Sequence, residues 1–170
     1  MKKLLFTLVL AFTGLYATAS PLSNADRHAI KNKLTQLETA FQQKQWNTVL
    51  NGMPPKLLER MASQSGMTPE MMRQSLLGLA SGYMQGLDVQ SYGYHLNQAI
   101  AGKSASQRDY AFIPAYYRAS LNGKQHQGSP YILGIEDNHQ WYFISWTNQF
   151  KDAVKQAYPD LANIPEPEAK

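Results

Sequence analysis

Apolar residues recur every three or four positions through the first half of this chain, and every second position through much of the rest. Ile30, Leu34, Leu37 and Phe41 follow the helical repeat, with Lys31, Lys33, Gln36 and Gln42 mostly off their face. Ser23, followed three residues later by Asp26, stands where the N-cap of that helix belongs. Two short helices are expected next, one around Trp46 closed by Pro54-Pro55, and one over "PKLLERMAS". Thr68-Pro69-Glu70 then combines an N-cap, a proline at the first helical position and a first-turn acid. Met72, Leu76, Leu79 and Tyr83 carry the inward stripe of the helix it starts, and Gly78 with Gly82 marks a place where another element packs closely.

From Asp88 onward the period is two. Strands are expected over "DVQSYGYHL", "YAFIPAYYRASL", "SPYILGIE" and "HQWYFISW", and "QFKDAVKQAY" closes the chain as a helix. The expected fold class is α+β: N-terminal helices packed on a curved, four-stranded antiparallel sheet, with a short C-terminal helix. Asn122-Gly123 is a type I′ hairpin signal, and Asp137-Asn138 reads as a second tight turn. Counting back from the first turn sets Ile113 opposite Ile132 and Phe112 opposite Leu133. Counting from the second sets Gly134 opposite Trp141. Pro114 and Pro130 fall close together across the first hairpin and predict a bulge that shifts the register beyond them.

The run "WYFISW" puts large apolar groups on both faces of the last strand, so both faces need a cover. The N-terminal helices supply one. The other falls to a second subunit, a partner protein, the closing helix or an occupied cavity. A homodimer is the expectation, with Trp141, Tyr142 and Phe143 at the interface. Its centre is Trp141 and Phe143, or else Tyr142 and Trp146, according to the face the helices take. The competing arrangement folds the closing helix, around Phe150 and Val154, back over the patch.

Composition narrows the setting. "MKKLLFTLVLAFTGLYATAS" has the basic start, apolar middle and A-x-A ending of a secretory signal peptide, with cleavage expected after Ala19. Its apolar stretch is shorter than the ~20 residues of a spanning helix. The organisation expected is therefore a signal peptide over 1–19, one α+β domain over 20–158 and a flexible tail over 159–170, in the periplasm or secreted. The chain has no cysteine, which excludes disulfides, thiol catalysis and thiolate-held metals. Removing Lys2 and Lys3 from 16 basic residues set against 12 acidic ones leaves +2, scattered along the chain. Nucleic-acid binding requires a basic footprint that is absent here.

The element order, together with "LGIEDNHQWYFISW", resembles the nuclear-transport-factor-2-like (cystatin-like cone, ketosteroid-isomerase-like) superfamily over roughly Ser23 to Trp146. The resemblance implies a sheet wrapped around a long helix, a pocket at one end of the cone and frequent dimers through the sheet. It includes lyases, isomerases and non-catalytic binding domains, so it leaves function open. The sequence lacks G-x-S-x-G, S-x-x-K, H-E-x-x-H and P-loop motifs, and its four histidines stand singly, so neither a metal nor another cofactor is expected. His95 and Asp88 are the candidate general bases; Glu136 and Asp137 flank a turn, where water would solvate them. Tyr116, Tyr117 and Arg118, with Tyr131 and Trp146 in reach, offer aromatic walls and one cation suited to a small anionic or amphipathic ligand. Of these, Tyr116, Arg118, Tyr131 and Trp146 are the candidate ligand-binding set. The reading is a non-catalytic exported binding or interaction domain. Its rivals are a cone-fold lyase or isomerase using His95 or Asp88, and an immunity-type protein that binds a secreted toxin.

Overall fold

The computed structural model describes residues 22–168. The segment read as a signal peptide lies outside them. Helices α1 (Asn24–Gln42), α2 (Trp46–Leu50), α3 (Pro55–Gln64) and α4 (Pro69–Tyr83) precede six strands and a closing helix α5 (Asn148–Ala157). The strands are β1 (Leu87–Tyr94), β2 (Ile100–Lys103), β3 (Asp109–Leu121), β4 (Lys124–Gly128), β5 (Tyr131–Asp137) and β6 (Gln140–Ser145). The fold is α+β, with N-terminal helices, a curved antiparallel sheet and a short C-terminal helix. Both expected caps form: the side chains of Ser23 and Thr68 accept hydrogen bonds from the amides of Asp26 and Met71, at 3.0 and 3.2 Å.

Thirteen-residue β3 is the spine of the sheet. Its first half is flanked by β2 and β5, its second by β1 and β4. Two of these strands are additions to the four expected. β2 is a short extra edge, and β4 is the return arm of the Asn122-Gly123 turn, separated from β5 by Ser129-Pro130. Ile113 faces Ile132 and Phe112 faces Leu133, as the turn dictates. The shift expected at Pro114 and Pro130 does not occur, because Tyr117 still faces Gly128 in the same count. The amide of Ala115 donates to the Pro130 carbonyl at 2.9 Å and carries the pairing across the break. The bulge lies instead in β1, between Val89 and Ser91.

The second hairpin corrects the sequence reading by two residues. Asp137 faces Gln140 and Gly134 faces Phe143. The turn is Asn138-His139, whose φ values of 52° and 61° supply the two left-handed residues that a type I′ turn needs. A two-residue slip keeps every side chain on its face. Trp141 still lies against Gly134, 3.4 Å from where a Cβ would stand.

Both faces of the sheet are covered by the chain itself. Ile30 and Leu34 of α1 pack on Ala111, Ile113, Ala115, Ile132, Trp141 and Phe143. On the opposite face, Tyr110, Phe112, Leu133, Ile135, Ile144 and Trp146 meet Leu57 of α3, Val154 of α5, and Tyr158, Leu161 and Ile164 beyond it. The closing helix thus takes the role that a second subunit would have had. Trp141, Phe143 and Trp146, from which a homodimer was inferred, are buried within one chain, and Tyr142 is half-buried. Each indole N–H is satisfied internally, Trp141 donating to Asp26 and Trp146 to Glu166, both at 3.2 Å.

Residues 159–166 of the tail are docked, in contrast to the composition-based reading. Leu161 and Ile164 are core residues, and Glu166 accepts from Lys151 and Lys155 at 2.8 and 2.7 Å. Burial alone would raise the Glu166 carboxyl; the hydrogen bonds and charges of the two lysines outweigh it and bring it down to about 2. Upstream, the packing expected at Gly78 and Gly82 is missing: nothing lies within 4 Å of a Cβ built on either. Leu79, assigned to an inward stripe, is 59% exposed, whereas Met72 is buried.

Candidate functional site

The stripe of α1 is only partly consumed by the core. Ile30 and Leu34 are buried, but Leu37 and Phe41, one and two turns further on, are only half-buried. They roof a cavity of about 610 Å³ between the helix and the concave face of the sheet. The sequence makes this space by placing small residues where the sheet curves. Ala115 and Ala119 of β3 stand on its inner face on either side of Tyr117, and Gly128 lies opposite Tyr117. A Cβ on Gly128 would stand 2.9 Å from the Tyr117 ring, so only glycine admits that ring there.

The β1 bulge completes the wall. Leu87 and Val89 sit at odd positions, Tyr92 and Tyr94 at even ones, so an unbroken strand would split them between the two faces. The extra residue, Gln90, brings the set to one side: Leu87, Val89 and Tyr92 line the cavity, and the Tyr94 hydroxyl reaches Thr35 of α1 at 3.2 Å. Phe41 stacks on Tyr92 with ring centroids 6.1 Å apart and meets Trp46 edge-on at 5.6 Å. Burial, then the nearby Glu38 and Tyr94, push the Tyr92 phenol up to about 12, so it stays protonated at neutral pH.

No carboxylate lines this cavity. Its polar side chains are His126, Ser145 and the tyrosines 92, 116 and 117. Such a wall supplies apolar contact and a few hydrogen bonds, the composition of a small-molecule site.

The residues singled out from the sequence do not converge here. Asp88 and His95 are exposed and line no part of the cavity; His95 packs on the Tyr116 ring, centroids 5.4 Å apart. Of the four aromatic and cationic candidates, only Tyr116 borders the cavity, at 40% exposure. Arg118 lines a second cleft with Gln90, Gln125, His126 and Gln127, and His126 borders both this cleft and the cavity. Trp146 belongs to the core under α5, and Tyr131 packs against that same core. The cavity residues missed by sequence reasoning are Leu37, Phe41, Tyr92 and Ala119, whereas Tyr117, noted beside Tyr116, does line it. The parity change between Val89 and Tyr92 was the available signal.

A second constellation is buried at the other end of the sheet. Asp137 is 4% exposed, which corrects its assignment to solvent. Its Oδ1 lies 3.0 Å from Arg108 Nη1, and Tyr158 donates its hydroxyl to Oδ2 at 3.2 Å. Arg108 also donates to the Glu136 carbonyl at 2.8 Å and to Asp160 at 3.0 Å. The hydroxyls of Ser104 and Ser106 donate to the same Asp160 oxygen. Burial alone would raise the Asp160 carboxyl, but the two serine hydroxyls and Arg108 hold it below its ordinary value. Burial, reinforced by Asp137, raises the Tyr158 phenol. Among the described residues no buried side-chain polar atom lacks a partner. This network is closed on itself and ties the tail to the sheet.

Comparison with known proteins found no matching family model, no matching curated protein and no matching solved structure. Among the described residues no helix is long and apolar enough to cross a membrane, and no cluster of three metal-ligating side chains occurs.

Proposed function

We propose that this chain is an exported, non-catalytic domain of the nuclear-transport-factor-2-like kind that binds a small, largely apolar molecule in the cavity beneath α1. The observation that carries the reading is the cavity itself, about 610 Å³ and walled by apolar side chains with no carboxylate among them. That volume lies within the range of ligand pockets, about 300–1,000 Å³. The exposed positions of His95 and Asp88 favour binding over the lyase or isomerase alternative.

A neutral fluorescent probe, N-phenyl-1-naphthylamine, should bind saturably and brighten. Ala119 stands on the cavity wall, so Ala119→Trp should fill the space and weaken the probe roughly tenfold or more, the equivalent of ~1.4 kcal/mol. Equal binding by a folded Ala119→Trp protein would place the probe elsewhere and sink the assignment. Export is read from the first twenty residues, and intact-mass measurement of periplasmic protein should return a chain beginning at Ser20. A membrane-bound species retaining Met1 would refute export.

A further inference from the structure

The edge of the sheet beside this cavity is basic. Cross-strand partners share a face, so the register of β4 on β3 sets Lys124 beside Leu121 and His126 beside Ala119, two residues of the cavity wall. Lys124 and His126 are two positions apart on one face, roughly 7 Å along the strand. β4 pairs only with β3, and β6 ends at Ser145 without reaching it, so the β4 edge is open where His126 and the 38% exposed Tyr117 border the cavity. Neither Lys124 nor His126 has an ion-pair or side-chain hydrogen-bond partner among the described residues, whereas Lys103, Lys151 and Lys155 are each paired. Nearby, Lys44 at the end of α1 donates to the Gln85 carbonyl at 3.4 Å, next to Met84 of the cavity wall, and it too lacks an acidic partner.

Resting on the cavity reading, we propose that the ligand is an amphiphile: a single apolar chain in the cavity, carrying an anionic head held at the β4 edge by Lys124 and His126. An apolar cavity beside an unpaired lysine and an imidazole N–H donor is chemically complementary to a carboxylate or a phosphate monoester on an alkyl chain. Arg118 pairs with Gln127 on the other face of β4 and lines a neighbouring cleft that His126 also borders.

Titration calorimetry with three twelve-carbon ligands (dodecanol, dodecanoate and dodecyl phosphate) below their micellar concentrations tests the proposal. Both anions should bind roughly tenfold or more tightly than dodecanol, the scale of a charge-assisted hydrogen bond. The doubly substituted Lys124→Ala, His126→Ala protein should lose that preference, its ratio of anion to dodecanol affinity falling to about one whatever the change in dodecanol affinity itself. The tighter of the two anions identifies a carboxylate or a phosphate source. Equal affinity for dodecanol and the anions, or a preference that survives the double substitution, overturns the anionic head and leaves the cavity reading standing. Failure of all three ligands overturns both.

Discussion

A chain ending at Ala157 is expected to lose its cooperative fold. The deletion removes Tyr158, Leu161 and Ile164, each at most 6% exposed, from the core formed by Tyr110, Phe112, Leu133 and Trp146. At roughly 1.5–3 kcal/mol for each buried side chain, the loss is on the order of 5 kcal/mol or more, comparable to the whole stability of a typical domain. It also strips Asp160 from Arg108 and Glu166 from the Trp146 indole. Near-UV circular dichroism and denaturant titration should show weakened tertiary signal and a collapsed midpoint. An unchanged midpoint would mean that the tail is an appendage and not part of the core. Acid should loosen the same contacts. The Glu166 carboxyl is depressed in the folded chain, so its contribution is complete above the ordinary carboxylate range and disappears as pH falls through about 2.

The second large effect is expected at Arg108. Its guanidinium compensates Asp137, which is otherwise enclosed, and it also serves Asp160 and the Glu136 carbonyl. Arg108→Met keeps the side-chain volume but leaves the buried Asp137 carboxylate only the longer ion-pair contact to Lys56, 3.9 Å away. The cost should approach that of breaking a buried ion pair, about 3–5 kcal/mol. Urea unfolding measures it directly. Adding Asp137→Asn to Arg108→Met should restore part of the loss, because the penalty belongs to the uncompensated charge. A loss below about 1 kcal/mol, the range of surface ion pairs, would show that the network is solvated.

The parts of this fold legible in the sequence are those fixed by neighbours along the chain. Ser23 and Thr68 mark helix starts because the cap and the amide it accepts are three residues apart. Asn122-Gly123 sets the first hairpin as far as Ile113 and Ile132, since a two-residue turn leaves no freedom in the count. The second turn is harder to read. Asp137-Asn138 is as good a dipeptide as Asn138-His139, and what decides is the burial of Asp137 against Arg108 and Tyr158, one of them 29 residues upstream and the other 21 downstream. The tail misleads for a similar reason. Its prolines and polar residues suggest fraying, but Leu161 and Ile164, three apart, find a place on the core that local sequence does not announce. Of the cavity, the α1 stripe and the aromatic strands were visible. Which tyrosines face inward depended on the bulge at Gln90, and that bulge sends Tyr92 inward, while Arg118 lies on the far side of the sheet.

The central claim is that the space under α1 takes a ligand while the core under α5 is solid packing. A methyl-resolved NMR titration with dodecanol separates the two regions within one sample. Saturable shifts should appear at Leu37, Val49, Val89 and Leu121, which line the cavity, while Leu133, Ile135, Val154 and Leu161 stay fixed. Shifts spread evenly over both groups, or none at the cavity methyls at any ligand concentration, would contradict the account.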